Sequence, residues 1–581
     1  MPYNRAAQAG IRRLPNAPAD MAVPMKVSTA AEMPFVTQQD TRQYVEAGYW
    51  SRDETLPSVL ARHAQTRPDK LAVVDDRGNR LSYGDLHRRS SQLAAAISDR
   101  GIGPGDVVGV QFPNRVEASV AALAIEKAGA IVCPLVTPYR KNELAFIVKQ
   151  TGMKLLFVPG VYRGFDHDAL GRELMTEFAT LRTLVTLNGA PAPGCVSLDS
   201  FIESAGEGQE FDAPRLAPDA VAALLFTSGT ESAPKGILHT SNTLLANARA
   251  LRGMLGLTAD DGVFMASPVG HGTGYGFGIR LACYLGSTLS LLGIWNAEEA
   301  ASMLAEHGAA YTHGATPFVT DLLGLPDLDE FDLSRLRYFV TGGAAVPPGT
   351  ATRVAGRLGC RLLRLYGQTE GFMTTLSPVT DDPADAESGD GLPVAGVEVR
   401  AVDENDRPVP AGEPGECQYR GPHRCVGFLR DPVREAASIS ADGWFRSGDL
   451  VRLGRDGQLT VAGRKKEVIN RGGYKYSPRE VEDALASYPG ISGIAIVRMA
   501  DTRLVERSCA FIVPEDRRKP TVQELADYLK ARGIASFKWP ERVEIVTEFP
   551  TTASGKVQKF ELEKMLEQRM ALNLAAERER E

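Results

Sequence analysis

An apolar run from Val221 to Phe226 stops abruptly at Thr227-Ser228-Gly229-Thr230-Glu231-Ser232-Ala233-Pro234-Lys235-Gly236, and this switch constrains the chain more than any other feature. A buried strand giving way to hydroxyls, glycines and a lysine suits a loop wrapped around a polyphosphate. Glycine lets backbone N–H groups approach phosphate oxygens, the hydroxyls add donors, and Lys235 supplies a point charge. The common nucleotide loop, Gly-x-x-x-x-Gly-Lys-[Ser/Thr], is excluded because Pro234 stands before the lysine.

The strand belongs to a longer rhythm. Residues 106–112 read as a buried strand, Asn114 as the cap of an Ala-rich helix to about Lys127, and 130–136 as the next strand. Further apolar strands are expected at 155–158, 263–265, 289–292 and 337–340. Ser82 and Asp85 have capping-box spacing, and the helix they open should stop at Gly101. Alternation of this kind predicts an α/β fold, with parallel or mixed sheets covered by helices. After Arg464 the texture changes. Ser477-Pro478-Arg479-Glu480 and Thr521-Val522-Gln523-Glu524 each start a helix, the second ending at Gly533, and strands are expected at 494–497 and 509–513. This reads as a small α+β domain. The expected divisions are an N-terminal extension (1–48), flexible or docked as a strap, a large domain (49–465), a small lid domain (466–562) and a charged helical tail (563–581). The acidic stretch 380–391 reads as a boundary loop within the large domain.

Bulk properties narrow the function. A chain of 581 residues exceeds one hydrophobic core. The net charge of −7 (65 basic against 72 acidic residues) argues against coating nucleic acid, which needs a basic stripe. Seven cysteines without a Cys-x-x-Cys suggest neither a disulfide framework nor a zinc site, which fits a cytoplasmic protein. The most apolar stretch, around 116–136, carries Glu117, Glu126 and Lys127, so no membrane span is expected. The N-terminus lacks the apolar core of a secretory signal.

Ordered motifs follow the loop: Pro268-Val269-Gly270-His271-Gly272-Thr273-Gly274, Val340-Thr341-Gly342-Gly343-Ala344, Tyr366-Gly367-Gln368-Thr369-Glu370, Trp444-Phe445-Arg446-Ser447-Gly448-Asp449, Gly463-Arg464-Lys465-Lys466 and Thr552-Ala553-Ser554-Gly555-Lys556. In order and rough spacing they resemble the adenylate-forming superfamily of acyl-CoA synthetases, adenylation domains and beetle luciferases, over about residues 56–562. The resemblance departs at Glu231 and Ser232, where the family usually has Thr and Gly.

That resemblance implies a large adenylation domain with a mobile C-terminal lid, using ATP, Mg²⁺ and coenzyme A. It implies that Thr227, Ser228, Gly229, Thr230 and Lys235 hold the β/γ-phosphates, that Glu370 binds Mg²⁺, and that Thr369 holds the α-phosphate. Tyr366, followed by Gly367 and Gln368, would stack on adenine beside Gly342, Gly343 and Ala344. Asp449 would accept the ribose hydroxyls with Arg464 nearby, and Lys556 would bridge the substrate carboxylate and α-phosphate. Lys466 would be the hinge that swings the lid from a pose inserting Lys556 to one presenting Gly472 and Gly473 to the pantetheine thiol. His271, Gly274, Tyr275, Gly276 and Gly342 would line the acyl pocket.

Glycine at every second position from Gly270 to Gly278 leaves volume for a bulky apolar acid, or else permits close helix–sheet packing. No acidic residue is placed to recognise an amino-acid ammonium. Motif texture is similar to the short- and medium-chain and cyclohexanecarboxylate ligases, near the aryl-acid adenylating enzymes and ligases of diterpenoid acids in platensimycin-type pathways. The acceptor is expected to be CoA, with a carrier protein as the alternative. Oligomeric state is left open between monomer and homodimer.

Overall fold

The computed structural model describes residues 34–578 except 188, 190, 206–215, 228–233, 344–345, 381, 516–518 and 553–555, with side chains described to residue 570. Two large sheets form the body. The first runs Leu392–Pro393, Thr375–Leu376, Arg361–Tyr366, Tyr338–Gly342, Ala309–Gly314, Gly262–Met265, Leu289–Leu291, Leu71–Asp75 and Arg80–Ser82. The second runs Gly427–Phe428, Lys235–Thr240, Val221–Thr227, Ile131–Pro134, Val107–Val110, Leu155–Val158, Thr183–Thr186 and Val196–Ser197. Both have parallel centres; the first has antiparallel strands at both edges, and the second only at the Gly427–Phe428 edge. The helices Tyr83–Ser98 and Val116–Lys127 are packed in the main hydrophobic core, the latter buried along nearly its whole length.

The expected strands of the large body appear within a residue or two of their places, because each is a short β-branched or Leu-rich run that can bury both faces; those expected at 494–497 and 509–513 are longer, Ile491–Asp501 and Val505–Pro514. Asn114 is not the cap of its helix. The N-cap is Arg115, and the Val116 N–H donates instead to Asp75 Oδ2 at 3.3 Å. Asn114 ties the two sheets together: its amide donates to the carbonyls of Met265, Ser267 and Leu292 and accepts from the Val269 N–H at 2.8 Å.

A third sheet, Glu398–Val402, Pro414–Arg420, Phe445–Leu453 and Leu459–Arg464, completes the larger part. The acidic stretch joins it to the first sheet: Asp390 takes the Arg364 guanidinium and the Val461 N–H. A separate sheet forms beyond it from Tyr474–Tyr476, Ile469–Arg471, Val505–Pro514, Ile491–Asp501 and Arg542–Ile545, with its own core around Val481, Leu485, Leu525 and Leu529.

Two expectations about the ends change. The helix Lys559–Arg578 runs unbroken through the expected division at 562/563, and Leu562 and Leu566 bury against Val497, Cys509 and Phe511, so the tail begins as packed structure. At the other end, Phe35 and Val36 are buried and Gln38–Glu46 is a capped helix, so the described part of the extension is a docked strap.

Candidate functional site

The site gathers where strands of both large sheets end, the side on which open α/β sheets bind ligands. Thr227 closes one strand and Lys235 opens the next, directly opposite it in register, so these two residues flank the phosphate-loop segment at the end of an antiparallel pair. Ser228, Gly229 and Thr230, with Glu231 and Ser232, lie outside the described residues, as do Ala344 and Ala553–Gly555. The Thr227 hydroxyl is buried without a hydrogen-bond partner among the described residues.

Along Lys235–Thr240, alternate side chains share a face, which puts Lys235 and His239 on the same side. Both meet the Tyr366–Glu370 turn. The Lys235 ammonium pairs with the buried Glu370 carboxylate. His239, fully buried, donates from Nε2 to the Thr369 carbonyl at 2.8 Å, and its Nδ1 faces the Thr243 hydroxyl at 3.1 Å. Burial pushes the His239 imidazole down to about 4, so it is neutral at ordinary pH. Nothing in the familiar motifs singles out His239; its even spacing from Lys235 is the one signal that places it here. The turn itself needs Gly367, because a Cβ there would lie 1.8 Å from the Phe372 carbonyl oxygen.

The third sheet brings the next group. Asp449 and Arg464 are antiparallel partners, and the Arg464 Nε lies 3.0 Å from Asp449 Oδ1. The other Asp449 oxygen accepts the Tyr366 hydroxyl at 2.9 Å. Burial raises the Asp449 carboxyl, with Arg464 opposing that rise. The Tyr366 ring is itself largely buried, against Cys417, Val451 and Leu459.

Lys556 enters from the small domain. Its loop is closed by Thr552 N–H to Lys556 carbonyl and Lys556 N–H to Thr552 hydroxyl bonds of 2.8 and 3.1 Å. The side chain reaches Gly343: a Cβ there would sit 2.6 Å from Lys556 Cε and 3.1 Å from Nζ, and φ is +81°. Lys556 keeps contact with solvent yet lies in a cleft, whose desolvation lowers its proton affinity. Arg464 adds to that lowering, and Asp449 and Glu370 oppose it. His271 stands near enough that Lys556 reinforces the effect of burial, and its imidazole falls to about 4.

Around His271 the glycines show the close packing that is one of the two readings of their spacing. Thr273–Arg280 is a π-helix, and Gly270, Gly274 and Gly276 are closely packed, whereas a Cβ at Gly272 would meet nothing nearer than 3.6 Å. A Cβ at Gly270 would meet the Leu135 carbonyl oxygen at 2.3 Å, one at Gly274 the Pro268 carbonyl oxygen at 2.4 Å, and one at Gly276 the Phe372 ring at 2.4 Å. Close packing explains these residues, and a Cβ at Gly342 would likewise lie 2.4 Å from the Leu365 carbonyl oxygen. Tyr275 is turned away as well: its hydroxyl donates to Glu126, which also holds the fully buried Arg280.

The thiol-side residues are not at this site. Gly472 and Gly473 occupy an outer turn of the small domain, where the Gly472 N–H donates to the Leu504 carbonyl at 2.7 Å. Arg471 beside them pairs with Glu541. Lys466 lies in the short 3-10 turn Lys465–Glu467, and its carbonyl accepts from Arg498 at 3.3 Å. Among the described residues there is no cluster of three or more metal-ligating side chains. Among the described residues Glu370 offers a buried carboxylate at the phosphate end, a donor suited to a hard cation that brings phosphate oxygens with it.

Comparison with known proteins agrees with this arrangement. The AMP-binding enzyme model matches residues 60–429, and the model of the AMP-binding enzyme C-terminal domain matches 480–556. A medium-chain fatty-acid–CoA ligase of Escherichia coli (strain K12) is 35% identical over 93% of this chain and 95% of its own. A salicylyl-CoA synthase / salicylate adenylyltransferase of a Streptomyces species is 34% identical over 90% and 95%. The crystal structure of the anthranilate CoA ligase AuaEII, in complex with anthranoyl-AMP, shares the fold with a TM-score of 0.80 at 24% identity, over 90% of this chain and 98% of that one. The chain belongs to the adenylate-forming superfamily of AMP-binding enzymes, as an acyl-CoA ligase.

Proposed function

We propose that the enzyme joins a carboxylic acid to ATP, releasing pyrophosphate and forming an acyl-AMP, and that the CoA thiol then displaces AMP to give the thioester. In the first step a carboxylate oxygen bonds to the α-phosphorus while the bond to the β-phosphate oxygen breaks. In the second, the thiolate sulfur bonds to the acyl carbon and the phosphate oxygen of AMP leaves. The observation that carries this reading is the entry of Lys556 beside Gly343, into a cleft whose other walls carry Asp449, Arg464 and Glu370.

In this reading Lys235 and the Thr227 hydroxyl hold the β/γ-phosphates, and Glu370 would hold Mg²⁺. Bound there, the metal would neutralise phosphate charge. Asp449, kept in place by Tyr366 and Arg464, accepts the ribose hydroxyls, as an acceptor-only group can. Tyr366 and the Gly342–Gly343 backbone meet the adenine, while Thr369 faces the α-phosphate. Lys556 places positive charge where the carboxylate and α-phosphate come together. His271, neutral, borders the acid without competing for its charge.

The acid we propose is apolar, medium-chain or cyclic. Two things support this: the names of the two relatives, and the aromatic wall of Phe277, His313 and Phe372, with Phe277 lying 4.6 Å from His313 and 5.9 Å from Phe372 between ring centres. The Streptomyces relative is named for both a CoA synthase and an adenylyltransferase activity, so a carrier-protein thiol is the second reading for the acceptor. Seven free cysteines and no described helix able to cross a membrane agree with a cytoplasmic site of action. The test is pyrophosphate release over a panel of medium-chain, cyclic, terpenoid and aryl acids, with and without CoA. Release with a CoA-dependent thioester supports the ligase. Accumulation of acyl-AMP despite CoA would move the acceptor to a carrier protein. Silence with every acid would overturn the reading.

A further inference from the structure

Much of the strap at the N-terminus docks against one short segment, residues 422–429, and that segment is bonded to both halves of the Lys235–Glu370 pair. On one side the Cys425 N–H donates to the Glu370 carbonyl at 2.6 Å. On the other, Gly427–Phe428 pairs antiparallel with the strand that Lys235 begins, and the Leu429 N–H donates to the Gly236 carbonyl at 2.8 Å. The Phe428 ring lies 5.9 Å from the Lys235 ammonium. A shift in this segment therefore moves the cation and the carboxylate together.

Residues 34–50 hold the segment down. Phe35 sets its ring edge-on to Phe428 at 5.4 Å and to Phe445 at 5.7 Å. Its carbonyl accepts from the guanidinium of Arg424, a buried cation whose other described acceptor is the Gly443 carbonyl, at 2.7 Å. A buried charge held by carbonyls has no slack, because losing one acceptor leaves part of it desolvated and unmatched. Further along, the Trp50 indole N–H donates to the Pro422 carbonyl at 2.9 Å. Pro34 packs where a side chain on Gly427 would stand, 3.3 Å from such a Cβ.

We propose that the strap is a positioning element for the phosphate and magnesium end of the site: Phe35, through Phe428 and Arg424, fixes the relative placement of Lys235 and Glu370. This rests on the ATP-binding reading above. Phe35 touches no reacting group, and its influence runs wholly through the segment it covers.

The test uses the full-length chain with Phe35→Ala, Phe35→Leu and Trp50→Phe. MgATP affinity is measured by titration calorimetry at several magnesium concentrations, beside melting temperature and pyrophosphate release. Phe35→Ala should weaken MgATP and raise the magnesium needed for half-saturation, each by about tenfold. Phe35→Leu, which refills most of the volume, should restore the greater part, and Trp50→Phe should fall between. Conversion of preformed acyl-AMP and CoA to thioester should not change. MgATP affinity equal to wild type in Phe35→Ala would overturn the proposal. So would a loss shared equally by both half-reactions in step with the melting temperature. If wild type binds MgATP but releases no pyrophosphate with any acid, the adenylation reading fails, and the strap is still judged on affinity.

Discussion

Lys235 and Lys556 bring positive charge to the same cleft from unlike backbones. Lys235 begins a strand bonded on both sides, and Glu370 matches its charge inside the large body. Lys556 ends a small loop of another domain and meets Asp449 and Glu370 only across the cleft, with Arg464 opposing it. One lysine is part of the structure that it serves, whereas the other is delivered to it. On the proposed reading an enzyme with two half-reactions would gain from this division, since the fixed lysine would hold the β/γ-phosphates until pyrophosphate leaves, while the delivered one would be withdrawn after the acyl-AMP forms. If the division is real, removing each lysine should damage different properties.

The largest effect is expected at Lys556. Lys556→Ala should slow pyrophosphate release about a hundred- to a thousandfold, the scale for a group that stabilises charge at the reacting centre. Its melting temperature should stay at the wild-type value, and thioester formation from supplied acyl-AMP should be nearly untouched. Single-turnover measurement of each half-reaction checks this. Lys235→Ala should instead mix binding and stability. It leaves the Glu370 carboxylate buried and unmatched, which costs about 1–3 kcal/mol of unfolding free energy by denaturant titration, and the KM for MgATP should rise. A Lys235→Ala enzyme as stable as wild type would break the comparison. Lys466→Pro stiffens the segment between the two domains, so the thiol step should fall about tenfold while adenylation changes little. Equal losses in both half-reactions would argue against delivery by rotation at that point.

The two lysines also differ in how readily the sequence reveals them. Lys556 is legible only through its Thr-x-Ser-Gly-Lys setting, since a lone lysine reads as surface. Lys235 is legible from the strand before it. The strands and capped helices of both domains were equally readable, because short apolar runs and hydroxyl–acid spacings act locally. What was not legible depends on contacts between distant segments. Asn114 looked like a cap and is a tie between sheets. The glycines around Gly274 and Gly276 looked like room for a substrate, and the room is filled by the Pro268 backbone and the Phe372 ring. His239 and Phe35 carry no motif at all; only their partners, Thr369 on one side and Arg424 with Phe428 on the other, make them matter.

Histidines give the finest test, because one reports on each lysine. All eight in the chain are driven below the usual imidazole range, burial being the first cause in each. A histidine neutral when folded but ordinary when unfolded stabilises the fold fully above about 6.5, and that stability is lost as pH falls towards the folded value. His239 and His271 both reach about 4, so acid should weaken the protein steeply between pH 6.5 and 4, read from denaturant midpoints. Their second causes differ. His239 has the Thr369 carbonyl and Glu370 working to raise it, whereas His271 is lowered further by the Lys556 charge. In Lys556→Ala the His271 imidazole should therefore titrate higher than in wild type, by a fraction of a pH unit because burial remains the main cause, and His239 should not move. Ring-proton titration by NMR separates the two signals. A His271 signal unmoved by loss of Lys556 would mean that the lid lysine spends little time in the cleft in solution, and the contrast between a fixed and a delivered charge would then have to be sought in the complex with ATP.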